Sequence, residues 1–235
     1  MPVTPLSRST EQRQSLIDGT GVAATGPGHS AIYALPMAAP RKTPPPGEAS
    51  GEAPAVFQRA VASLRQALEG DPGRPELELE DMPAPQRLAP YSAAIAGAVI
   101  KDDDEIAMGR LILLYDPDGR TGWVGPFRLV AYIQAELEPE IASDELIGSV
   151  AWSWLLEALE VAGYAGVSGT VTRAVSESFG SKEDDPSSTE LELRASWSPA
   201  GDDITGHVAA WCEVMCLAAG LPPSGVTALP GGPGN

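Results

Sequence analysis

Histidine and cysteine are the scarcest reactive residues in this chain of 235, which holds two of each. The cysteines, Cys212 and Cys216, share one apolar stretch, which excludes a disulfide framework. The histidines are His29 and His207, and neither sits in an HExxH pattern. No GxSxG elbow presents a serine nucleophile. Basic side chains are also few, 15 Lys and Arg against 32 Asp and Glu, for a net charge of −17. Such a field repels phosphate backbones, so direct nucleic-acid binding is disfavoured. Long apolar runs are missing too. The stretches near 146–167 and 207–221 are interrupted by Glu157, Glu160 and Glu213, and neither reads as a membrane span. The N-terminus lacks the basic-then-apolar pattern of a secretory signal, and the expected compartment is the cytoplasm.

Proline and glycine, in contrast, are abundant at 23 and 25 residues, about a fifth of the chain against an average of about 12%. Eight of those prolines and six of those glycines fall within residues 1–53, and the tail 222–235 (PPSGVTALPGGPGN) is similar. Both segments are expected to be disordered, leaving one α+β domain over 54–221. Residues 1–53 carry four basic and four acidic side chains, so the entire negative charge belongs to the remainder. The glycine-rich run Gly19 to Gly28 lacks the strand before it and the helix after it that a dinucleotide fingerprint needs, and reads as linker. Met37, directly before the polyproline spacer 40–54, is an alternative start.

Hydrophobic periodicity predicts a helix over 55–69, stopped by Asp71-Pro72-Gly73. Alternation predicts a short edge strand over 76–80 and a strand over 127–137, while 91–100, small and apolar on both faces, reads as a central strand and 106–115, between turn signals, as its neighbour. In the last of these Phe127, Leu129, Ala131, Ile133 and Ala135 share one face, while Arg128, Tyr132, Gln134 and Glu136 share the water-facing one. A long helix follows from about Pro139 to Ala162, with an apolar stripe of Ile147, Val150, Trp154, Ala158 and Val161. A hairpin (168–179 and 190–197) and a final helix capped by Asp202 or Asp203 complete the chain. The fold class is therefore α+β: a twisted antiparallel sheet of five to six strands with three helices, in the order α-(β)-β-β-β-α-β-β-α. A weak internal echo links QAELEP (134–139) before VAWSW with RASWSP (194–199) before VAAWC.

No metal and no cofactor are expected. His207 and Cys212 are five apart, off a single helical face, so packing explains both cysteines better than metal binding does. Glu136, Glu138 and Glu140 cluster at a strand-to-helix junction, where acidic side chains ordinarily face water. Trp152 and Trp154 are two apart, so their indoles project about 200° apart on a helix. Either that helix is covered on two sides or one indole is a surface anchor, and Trp152 is the interface candidate. Arg87 and Tyr91 in PQRLAPY form the other notable pair, a proline-fixed arginine that could clamp a carboxylate or tie the domain's own acidic surface.

The blocks FQRAVASLR (57–65), PAPQRLAPYSAAI (83–95), GRLILLYDP (109–117), FRLVAYIQAELEPEIA (127–142), GTVTRAVSESFG (169–180), ELRASWSP (192–199) and AAWCEVMCLAAGLPP (209–223) resemble an actinobacterial family of unknown function. Its genes often lie near a ribonuclease-D-like gene. The resemblance implies no activity, only an association with RNA metabolism. The element order also resembles that of type III secretion chaperones, an analogy of order and charge that says little about function. The expected function is a non-enzymatic, acidic module that binds another protein, itself as a homodimer. The alternatives are an enzyme or ligand binder using Glu136, Glu138 and Arg194, and a regulatory partner of an RNA-processing enzyme.

Overall fold

A computed structural model describes residues 53–70, 73–184 and 186–224. The expectations for residues 1–52 and 225–235 lie outside the described residues. The elements are α1 (Ala55–Glu69), β1 (Leu77–Met82), β2 (Tyr91–Lys101), β3 (Asp104–Tyr115), β4 (Phe127–Glu136), α2 (Pro139–Ala142), α3 (Ile147–Ala162), β5 (Tyr164–Ser176), β6 (Ser188–Pro199) and α4 (Thr205–Ala218). All neighbouring strands are antiparallel, in the order β1-β2-β3-β4-β6-β5. The class is α+β, with the expected order of elements.

The strand order follows from the α3 crossover. From β4 the chain passes over the sheet through α3, enters β5 at the far edge, and returns through β6, which slots between β4 and β5. The odd-numbered residues of β2, β3, β4 and β6 make the core face: Ile95, Leu111, Leu129, Ile133, Leu193 and Trp197 are all buried. All the long helices cover this one face. Helix α4 lies across β2, β3 and β4, with α1 on its β1 side and α3 over β5 and β6.

Two glycines seat α4. Gly97 and Gly109 are cross-strand partners, and a Cβ on Gly109 would lie 2.8 Å from both Trp211 Cζ2 and Met215 Sδ. The missing side chains make a shallow trough that lets the Trp211 indole lie on the sheet backbone. Gly109→Ala is expected to cost about 1–3 kcal/mol by overpacking, read as a lower urea midpoint. A change below a few tenths would mean that the indole is free to move aside.

Three local expectations need correction. The long helix is broken: Asp144 Oδ1 accepts from Leu146 N at 2.8 Å, an Asx turn that separates α2 from α3. The buried stripe of α3 is Ile147, Ala151, Leu155 and Leu159, rotated from the one expected, and Val161 is 95% exposed. The rotation arises because α3 is covered by both the sheet and α4, where Ala162 packs close to Gly206. Finally, residues 222–224 are held rather than loose. Arg74 Nη2 donates to Pro222 O at 2.7 Å, and Glu213 accepts from both the backbone and the hydroxyl of Ser224.

Candidate functional site

The even-numbered residues of the central strands face away from the helices. At one end this second face is roofed by the segments 83–90 and 116–126. Ser92 Oγ donates to Pro85 O, Val124 N donates to Ser198 Oγ at 2.9 Å, and Arg120 Nη1 donates to Leu88 O. Ala94, Leu114, Arg128 and Ser198 are buried there.

Beyond the roof the face is open and has two halves. On the β2–β3 side Ala96, Ala98, Met108 and Ile112, continued by Val130 of β4, make a half-buried apolar floor around one cation, Arg110, which stands between Met108 and Ile112 and opposite Ala96. On the β4–β6 side it is a polar network. Tyr132 Oη lies 2.8 Å from Gln134 Oε1 and 3.2 Å from Glu192 Oε2, so one phenolic proton serves two acceptors. Arg194 Nη2 donates to the same Glu192 Oε2 at 2.8 Å, and its guanidinium stacks 5.7 Å from the Tyr132 ring. Gln134 Nε2 donates to Glu190 Oε2 at 3.0 Å. Burial, and then the charge of Glu192, push the Tyr132 hydroxyl pKa upward, so it stays protonated as a donor. Arg194 Nε is buried without a hydrogen-bond partner. Acidic side chains rim the face on both flanks: Glu78 and Glu80 on β1, and Glu136 beside Glu190 across β4 and β6.

The candidates named from sequence are only partly brought together. Glu136 and Arg194 share the open face, but Glu138 lies past the end of β4 near Gly220, at the end of α4. Arg87 and Tyr91 also separate. Arg87 is exposed on the roof segment with a left-handed φ of 74°. Tyr91 joins an aromatic cluster, 5.6 Å from Phe57 and 6.0 Å from Tyr115. Trp152 is half-buried and lies against Gly169 of β5, where an added Cβ would come within 2.8 Å of its Cζ3. Trp154 is half-buried as well, and both indoles pack against the core.

His207 is buried on α4 and accepts a hydrogen bond at Nδ1 from Trp197 Nε1 at 3.2 Å. Burial lowers its pKa to about 4, and the charge of Asp203 opposes this only in part. The thiols are pushed up by burial to about 12 for Cys212 and about 11 for Cys216, which makes them inert packing groups. Among the described residues, no three His, Cys, Asp or Glu side chains converge on a metal-sized site. None of the described helices is long and apolar enough to cross a membrane.

Sequence reasoning missed Arg128. It sits on the expected strand face, yet it is buried, and burial lowers its pKa. Its guanidinium donates to Gly166 O at 2.8 Å, Ser196 Oγ at 2.8 Å and Ser196 O at 3.1 Å. It thereby pins the register shift of β5 between Ala165 and Ser168 against β6. No local signal marks this role, because the roof that buries Arg128 comes from distant segments.

An open-faced antiparallel sheet with all its long helices on one side places this protein in the class of α+β domains. Residues 53–227 match the family model "Protein of unknown function (DUF3000)", and the chain belongs to that family. No curated protein and no solved structure matches it.

Proposed function

We propose that the domain is a non-enzymatic protein-interaction module, adaptor-like or chaperone-like, acting in the cytoplasm. Its ligand is an amphipathic segment of another protein with basic side chains, docked on the open face of the sheet. The observation that carries this reading is the floor of Ala96, Ala98, Met108, Ile112 and Val130 around Arg110, which none of the described helices covers and which acidic side chains flank. Small residues in β2 let a partner's side chains approach the sheet closely. Glu78, Glu80, Glu136 and Glu190 supply complementary charge for lysine or arginine, and the field of −17 speeds encounter with such a segment. The same charge opposes a nucleic-acid ligand. Free, buried cysteines accord with a reducing compartment.

The test is to isolate the protein that the full chain retains near-stoichiometrically at low salt, purify it, and titrate it against wild type and Ile112→Asp. Wild-type affinity should fall as ionic strength rises. The substitution replaces apolar surface in the floor with a hydrated carboxylate beside Arg110 and is expected to weaken binding by at least about tenfold, since a docked segment would have to strip that carboxylate of water. Unchanged affinity in a variant with an unaltered circular dichroism spectrum would rule out the open face as the docking surface.

A further inference from the structure

The two edges of the sheet are built differently. At one edge, β1 is short, carries Glu78, Glu80 and Asp81, and is followed by Pro83, the usual protection against pairing with another chain. At the other edge, β5 is 13 residues long and is paired only to β6. Past its register shift it runs in continuous register from Ser168 to Ser176, so one side of that stretch presents ladder groups outward. Its sequence, SGTVTRAVS, has no proline, no lysine and no acidic residue. Its one charge, Arg173, is turned back onto the molecule, with Nη1 donating to Ala142 O at 3.1 Å and Asp144 O at 3.3 Å.

The exposed large hydrophobic side chains among the described residues are Val124, Leu146, Val161, Val175 and Phe179. Every one of them flanks β5. Val175 is in the strand, and Phe179, 78% exposed, follows its end. Val161 precedes its start, and Val124 Cγ2 lies beside Gly166. Leu146 follows the turn that Arg173 holds. An unguarded strand edge bordered by the molecule's exposed apolar side chains marks an interface rather than a solvated surface.

We infer that the edge of β5 pairs with the β5 of a second copy of this chain, antiparallel, about a two-fold axis at Thr172. Two properties select a second copy as the occupant. The first is charge: on a chain of −17, β5 is a segment without an acid, so two copies can meet there with the least like-charge opposition. The second is self-complementarity, which an isologous dimer requires. An axis at Thr172 pairs the whole regular stretch Ser168–Ser176 with itself and sets the exposed Val175 opposite the partner's Gly169. The Trp152 indole lies over Gly169, so each Val175 is buried against a half-exposed tryptophan. Continuing the sheet antiparallel extends the pairing already used by all its strands. This interface is separate from the open-face docking site, and either can fail without the other.

Thr172→Lys tests it on the full chain. Thr172 lies opposite Glu192 within the protomer, so a lysine there gains an intrachain partner and folding is preserved. In the dimer the two lysines face each other across the axis, where like charges oppose pairing. Light scattering after size exclusion should give wild type twice the chain mass of 24.4 kDa, and T172K the mass of one chain with an unchanged circular dichroism spectrum. The conservative Thr172→Val should remain dimeric. A wild-type protein that is monomeric at all micromolar concentrations, or a dimer that T172K leaves intact, would overturn the inference.

Discussion

Trp211→Ala is expected to lower the stability of the domain by about 3–5 kcal/mol, the range for removing a fully buried aromatic side chain. Trp211 is 0% exposed and packs with Met215 into the trough left by Gly97 and Gly109. Its Nε1 donates to Tyr132 O at 3.4 Å, a long bond that adds less than the packing does. The two glycines cannot relax to fill the vacated space, because they have no side chains to move. A cavity should therefore remain, and cavity volume is what drives the cost to the upper end of the range. Domains of this size are typically stable by only about 5–15 kcal/mol, so the variant should unfold at a much lower urea concentration with a similar slope. A loss below about 1.5 kcal/mol would mean that the helix settles onto the sheet once the indole is gone, as tolerated core substitutions do.

Acid should destabilise the domain through His207. In the folded protein burial holds this imidazole at a pKa of about 4, against 6.5 when it is free in water. Between those two values the unfolded chain takes up a proton that the folded chain refuses, so stability falls as the pH drops through that window. The contribution is complete above pH 6.5 and exhausted below about pH 4, and its size is about 3 kcal/mol at 1.36 kcal/mol per pKa unit. The physical cause is twofold. The protonated ring would lose its hydration, and Nδ1 could no longer accept from Trp197 Nε1. Urea midpoints measured at pH 7 and pH 4.5 should show the loss, and His207→Gln should flatten the difference. An equal pH dependence in the variant would assign the effect to carboxylates instead. Asp203 is one such group, held below its usual pKa by the Thr205 backbone N–H, but its loss of stability falls at lower pH.

How much of this was legible in the sequence depends on the range of the interactions involved. Strands β1, β3 and β4 and helices α1 and α4 could be read directly, because alternation and helical spacing are local records of which side chains face a core. The assignment of Phe127, Leu129, Ala131, Ile133 and Ala135 to one face of β4 is what places them in the core. The α3 stripe misled because its helix is covered on two sides. With the sheet and α4 both in contact, several stripes are apolar, and periodicity alone does not rank them. The break at Asp144 was hidden in a stretch whose residues also suit a helix N-terminus.

The candidate sites divide along the same line. Composition located the acidic charge, since this rests on counts. The grouping of Tyr132, Gln134, Glu192 and Arg194 joins β4 to β6 across about 60 residues of chain, and it exists only because β6 inserts between β4 and β5. The burial of Arg128 depends on a roof of two distant segments and on the β5 register shift. The separation of Glu138 from Arg194, and the unpaired edge of β5, likewise follow from topology. The sequence by itself determined the element types, the core-facing side of β4 and β6 and the charge, because backbone propensity and side-chain alternation act between near neighbours. Only the tertiary structure decided that β5 lies at the second edge, which face stays open and which charges are buried. Those outcomes depend on contacts between segments far apart in the chain, which no local pattern encodes.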